Sequence, residues 1–214
     1  MLPPYRAEPY SDFTDPRIAD RYQQALRGVR ASFGERAMLI VGGTRTDTKA
    51  SIESINPADP SEVIGTAASA AVSDVDAAID AAWAAFPNWS RRTAEERAGL
   101  IHRVGDLIAD RRFDFAAWQT FEAGTNWAEA EADVAEAIDV CRYYAHQALL
   151  IAEPIEVHYF EGEMNESWLQ AIGAGVVIQP WNLPLAILVG MTVGQIAAGN
   201  TVVLKPASNT PLVG

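Results

Sequence analysis

Cysteine is almost missing from this sequence: Cys141 is the single one in 214 residues. A disulfide within the chain needs two thiols and a multi-thiolate metal site more than one, so both are excluded, and a reducing compartment is the simpler setting. Basic residues are scarce too, 16 Lys+Arg against 28 Asp+Glu, for a formal net charge of −12. Nucleic acids and anionic membranes are bound through a basic face, and no basic run or basic–aromatic stretch supplies one. Long apolar runs are also lacking. The longest, Leu183 to Gly199, is interrupted by Pro184, Thr192 and Gln195; it falls short of the ~20 clean residues of a membrane span and reads as a buried helix. The N-terminus carries Glu8, Asp12 and Asp15 and no apolar signal core. A cytoplasmic protein is the expectation. His102, His146 and His158 show no ligand spacing, so no metal is expected, and no Gly-x-Ser-x-Gly elbow occurs.

What is present is an ordinary globular composition, 49% hydrophobic and 21% charged, which argues against general disorder. A helix is expected from about Pro16 to Arg30, with proline at its favoured first turn. Met38 to Val41, closed by Gly42-Gly43, reads as a strand and turn. Ile52 to Ile55 and Val63 to Thr66 flank a Pro/Asp/Ser turn and suggest a hairpin. Ser73-x-x-Asp76 and Thr93-x-x-Glu96 both fit the hydroxyl–acid helix start. Behind the first, Val75, Ile79, Ala82, Trp83 and Phe86 recur at helical spacing; behind the second, Leu100, Val104, Leu107 and Ile108 do so. A further helix runs from about Asn126 to Leu150 with the stripe Ala130, Val134, Ala137, Ile138, Cys141, Ala145 and Leu149. On it Cys141 reads as a core residue, and Glu129, Asp133, Glu136 and Asp139 as a solvated face.

The informative stretch comes last. Gly175 to Gln179 and Thr201 to Leu204 are short, apolar and β-branched, and a helical stretch of about fifteen residues separates them. Strand, helix, strand with apolar strands is a βαβ unit of a parallel sheet. Ligands of such sheets bind outside the carboxyl ends of the strands, so Pro180-Trp181-Asn182 and Lys205-Pro206-Ala207-Ser208 should line one crevice. It would offer an amide (Asn182), an aromatic wall (Trp181), an ammonium (Lys205) and a hydroxyl (Ser208), a set suited to phosphate or sugar hydroxyls and to a developing oxyanion. The Gly-x-Gly-x-x-Gly fingerprint is absent; Gly173-Ala174-Gly175 precedes the strand and reads as a turn. On the residues alone the fold class is α/β, a parallel sheet with a polar crevice that reads as nucleotide-binding.

These residues resemble the aldehyde dehydrogenase family. The specific motifs are Pro180-Trp-Asn-Leu-Pro-Leu185 and Ala197-Ala-Gly-Asn-Thr-Val-Val-Leu-Lys-Pro-Ala207, supported by Asn56-Pro57 with Glu62-Val-Ile-Gly65. A narrower resemblance is to the branch that oxidises L-glutamate γ-semialdehyde (1-pyrroline-5-carboxylate). It rests on Tyr5-Arg6-Ala-Glu8-Pro9, Glu122-Ala-Gly124-Thr-Asn126-Trp127, Ala132 to Asp139, and Tyr143-Tyr144. The resemblance covers nearly the whole chain, yet the chain covers well under half of a family member. It implies an incomplete Rossmann-like parallel βαβ cofactor domain preceded by helices and a hairpin, with residues 1–40 as a helical extension and 41–214 as the N-terminal part of the NAD(P)-binding domain. It also implies an NAD- or NADP-dependent oxidation of that aldehyde to glutamate in proline catabolism. Asn182 would be the oxyanion-hole amide, Lys205 would bond the adenosine ribose, and Ile178, Gln179, Pro180 and Trp181 would line the nicotinamide path. Two departures stand out. Ser208 replaces a frequent acidic residue, which implies tolerance of NADP beside NAD. Thr125 replaces a frequent lysine, which leaves Glu122 open between substrate pocket and buried carboxylate.

The family's chemistry needs a cysteine nucleophile and a glutamate base, and both lie beyond the matched region. The chain is thus expected to be an N-terminal piece of a longer, homo-oligomeric enzyme and to be inactive alone. The alternative is a non-catalytic nucleotide-binding or interaction module.

Overall fold

In the computed structural model, which describes residues 2–214, helices form a layer behind four small sheets. The first helix, α1 (Pro16–Ala31), starts where the Asp15 carboxylate accepts the Arg17 N–H at 2.9 Å. β1 (Glu35–Ala37) follows at once, then β2 (Leu39–Val41) and β3 (Thr44–Thr46). Gly42 and Gly43, at φ 56° and 80°, make the two-residue turn between these last two, a geometry that side chains resist. β4 (Ser51–Asn56) and β5 (Asp59–Ala68) form the expected hairpin. β1, which the sequence did not announce, pairs parallel with β5 to complete a three-stranded sheet in the order β1-β5-β4.

α2 (Val72–Ser90) starts differently from expectation. Ser73 lies inside the helix, and Asp74 instead accepts the Ala71 N–H at 2.8 Å. α3 (Ala94–Asp110) has the full capping box: Thr93 Oγ1 accepts the Glu96 N–H at 3.2 Å, and Glu96 accepts the Thr93 N–H at 3.0 Å. Its apolar stripe is corrected, because Leu100, Val104 and Leu107 are exposed and the helix buries Ala98, Ile101, Gly105 and Ile108. Small residues let it sit close to its neighbour, and Gly105 leaves the Cys141 Cβ only about 3.0 Å from where its own would stand. α4 (Arg112–Glu122) begins immediately after α3, sharing Arg111 as a joint, and has no side-chain cap, so no start signal marks it in the sequence.

α5 (Trp127–Ile151), capped by Asn126 at 3.0 Å from the Glu129 N–H, is the spine of the molecule. It packs against α3, α4 and the last helix. Ala130, Val134, Ala137, Ile138, Cys141 and Ala145 are fully buried along it, as the stripe requires. The chain ahead of α1 is strapped onto this layer: Glu8 pairs with Arg112 at 2.9 Å and with Arg142, Arg112 also pairs with buried Glu131, and Asp139 accepts the Glu8 N–H at 2.7 Å. β6 (Ile155–Glu156) and β7 (Glu166–Ser167) form a short exposed hairpin. β8 (Ala174–Ile178), α6 (Ala186–Ala197) and β9 (Thr201–Lys205) then make the parallel βαβ unit. Of the three-residue Gly173-Ala174-Gly175 turn, only Gly173 precedes the strand. At φ 134° it lies flat against the Trp83 ring of α2, with no room for a side chain.

Candidate functional site

The register of β8 and β9 sets the site. Ile178 stands opposite Lys205, the last residue of each strand, so the residues that follow leave from the same edge of the sheet. Pro180, Trp181 and Asn182 emerge on one side, Lys205 and Ser208 on the other, and all five are exposed. Residues more than twenty apart are thereby brought to one edge of the sheet.

This edge exposes apolar groups: Ile178 is 65% accessible and Trp181 55%. Two such side chains beside an ammonium form the amphipathic edge that a nucleotide's ring and ribose would cover. The Lys205 ammonium donates only to the Pro206 carbonyl, at 3.0 Å, and takes part in none of the ion pairs among the described residues. Asn182 makes no side-chain hydrogen bond among the described residues, so its amide is free to meet a ligand. Gln179 differs from its neighbours. It is only 3% exposed, and in the amide orientation its surroundings require, its Oε1 accepts the Ala207 N–H at 3.1 Å. Its side chain therefore ties the β8 loop to the β9 loop.

Behind the edge, two buried carboxylates hold the turns. Asp133, on α5 and 2% exposed, accepts the Leu185 N–H at 3.0 Å and the Ala186 N–H at 3.1 Å, the free donors at the start of α6. Burial pushes its carboxyl up to about 6, with the Glu136 charge adding to that and the two N–H groups opposing it. Its assignment to a solvated face is thus overturned; Glu129 and Glu136 remain exposed. Glu122, at the end of α4, accepts the Ser54 hydroxyl at 2.7 Å, the Leu212 N–H at 2.9 Å and the Val213 N–H at 2.7 Å, in the turn that follows β9. Burial raises its carboxyl above the ordinary value, while these donors work the other way. Glu122 thus joins β4, α4 and the last turn. Thr125, three residues on in sequence, borders a depression with Phe13, Gly124 and Trp127.

The far end of α6 is held in the same way. Arg97 of α3 donates to the Ala197 carbonyl at 3.0 Å and Trp89 Nε1 to the Ile196 carbonyl at 2.9 Å. α6 has no acidic residue in its first turn and no basic one in its last; the charges that complement its dipole come from α5 and α3. Asn200 Oδ1 accepts the Ile172 and Gly173 N–H groups at 2.7 and 3.1 Å, locking the start of β8 against β9. Cys141 is fully buried, and burial raises its thiol to about 12; it is not a nucleophile. No group of His, Cys, Asp and Glu able to hold a metal occurs among the described residues, nor is any described helix long and apolar enough to cross a membrane.

Sequence and fold comparisons show which known proteins this chain is similar to. The model of the "Aldehyde dehydrogenase family" matches residues 44–214. A 1-pyrroline-5-carboxylate dehydrogenase of Geobacillus thermodenitrificans is 44% identical over 213 residues, 100% of this chain and 41% of that protein. The Bacillus subtilis 1-pyrroline-5-carboxylate dehydrogenase 2 is 42% identical with the same coverage. Among solved structures, a Thermus 1-pyrroline-5-carboxylate dehydrogenase with bound NAD superposes with a TM-score of 0.97 at 45% identity, covering 100% of this chain and 42% of that one. The chain spans about two-fifths of the length of the curated relatives it matches.

Proposed function

The chain belongs to the aldehyde dehydrogenase family, and from that premise we propose that it forms the cofactor crevice and the oxyanion donor of an enzyme oxidising L-glutamate γ-semialdehyde to glutamate with NAD or NADP, in proline catabolism. The observation that carries this reading is the Ile178–Lys205 register, which brings an unpartnered amide, two exposed apolar side chains and an unpaired ammonium to one sheet edge.

Each group has a task there. The Asn182 amide donates to the carbonyl oxygen of the aldehyde as negative charge develops on it, an interaction stronger at the tetrahedral stage than before it. Lys205 donates to ribose hydroxyls, and Ile178, Pro180 and Trp181 form the wall beside the nicotinamide half. Gln179 acts from beneath, holding the loop. Ser208 neither repels a 2′-phosphate nor binds ribose as a carboxylate would, which suits both cofactors. The cofactor, when bound, supplies the hydride acceptor. Glu122 shapes the substrate side only indirectly, by fixing the turn after β9. By the family's pattern the attacking thiolate and the base that activates water would come from sequence outside these 214 residues, and Cys141, the one thiol here, is sealed in the core. The enzyme works as a homo-oligomer.

The test is NAD reduction with glutamate γ-semialdehyde. The full-length protein should turn over, and the 214-residue chain should not. Turnover by the short chain, or none by the long one, overturns the assignment.

A further inference from the structure

Asn182 has no side-chain partner of its own, so its place depends on the backbone that carries it. That backbone is a short bridge, Pro180 to Pro184, with a proline fixing φ at either end. On the strand side it is anchored by the β8–β9 ladder and by Gln179 on the Ala207 N–H. On the helix side Leu185 stands at the N-terminal boundary of α6 with no side chain of that segment to cap it. Both free N–H groups there are taken by Asp133.

We propose that Asp133 is a positioning residue for Asn182: its carboxylate fixes where α6 begins relative to α5, and so fixes the bridge that presents the amide. The inference rests on the oxyanion role proposed above for Asn182. A serine or asparagine placed at the helix start would satisfy the same N–H groups at less cost than a buried carboxylate. Such a local cap would travel with α6. A cap supplied from α5 ties the helix start to the rigid layer, where Val134, Ala137 and Ile138 on the same helix are fully buried. The Asp133 side chain touches neither crevice nor ligand surface; its influence passes through Leu185 and the five-residue bridge.

The experiment is a double-mutant cycle in the full-length protein with Asp133→Asn, Asn182→Ala and the pair. Asp133→Asn should lower kcat about tenfold to hundredfold, the scale expected when a reacting group is displaced by about an ångström. The KM for NAD should move less than about threefold, because the loss falls at the reacting carbonyl and not in cofactor binding. If Asp133 acts through Asn182, the pair will be no slower than Asn182→Ala alone; multiplied losses overturn the proposal. An Asn182→Ala enzyme with unchanged kcat defeats the oxyanion reading itself, a separate result. Should Asp133→Asn fail to fold, Asp133→Glu keeps the charge and lengthens the reach by one methylene. It is expected to fold, to lower kcat and to leave the KM for NAD unmoved, and a wild-type kcat in that variant overturns the proposal.

Discussion

The helical layer behind α6 and the sheet edge in front of it treat polar groups in opposite ways. In the layer, Asp133, Glu122, Arg97 and Asn200 are each matched to backbone groups at between 2.7 and 3.1 Å. At the edge, among the described residues, Asn182 has no side-chain partner, Lys205 has only the carbonyl of its neighbour, and Trp181 lies open. Buried polar groups left unmatched are costly, and these four are each provided for. Exposed groups can wait for a ligand. The contrast separates what holds the edge from what the proposed chemistry would use, and mutations on the two sides should report it differently.

The largest expected effect lies at the edge. Asn182→Ala in the full-length enzyme should cut kcat by about 10²–10³, the usual cost of an oxyanion donor, with the thermal midpoint unchanged; a lowered midpoint would show that Asn182 belongs to the holding side. Next comes Asp133, on the layer side. Its carboxyl titrates near 6 in the fold against 3.8 as the ordinary value. Between those two values the folded chain therefore carries a proton that the unfolded chain has released. The group's stabilising contribution is complete below about pH 4 and lost as pH rises through 6, on the order of 3 kcal/mol at most. Urea unfolding of wild type and Asp133→Asn at pH 4.5 and 7 should show the wild-type advantage shrinking as pH rises, and an advantage that grows would break the assignment.

Smaller effects follow. Lys205→Met should raise the KM for NAD about tenfold, on the scale of a lost charge-assisted hydrogen bond, with kcat and stability held. Ser208→Glu should leave NAD use intact and depress NADP use several-fold by charge repulsion, measured as the ratio of the two kcat/KM values. A wild-type enzyme that already rejects NADP removes the role given to Ser208. The smallest is Cys141→Ala, expected to cost about 1 kcal/mol of stability and to leave turnover untouched, with the native thiol inert to alkylating reagents.

Much of the edge was legible in the sequence, because the signals that encode it are local. Two β-branched runs, a proline-bounded loop and a glycine-asparagine stop lie within forty residues, and they determine which strand ends face the same way. Thr93–Glu96 announced its helix for the same reason: a cap and its target are three residues apart. The holding side was not legible. Asp133 meets its N–H groups 52 and 53 residues later, and on its own helix it is one acid among several. α4 carries no cap because Arg111 serves as a joint, and the α3 stripe misled because alanine and glycine, not leucine, provide the close approach to α5.

α6 carries no charge at either terminus and is 12 residues long, a length at which a helix in water is marginal by itself. Asp133 and Arg97, which complement its two ends, belong to helices made earlier in the chain. The crossover can therefore settle only after α3 and α5 have docked, and the order of assembly places the crevice last. In a refolding experiment followed by pulsed hydrogen exchange, the α5 amides should gain protection before those of α6.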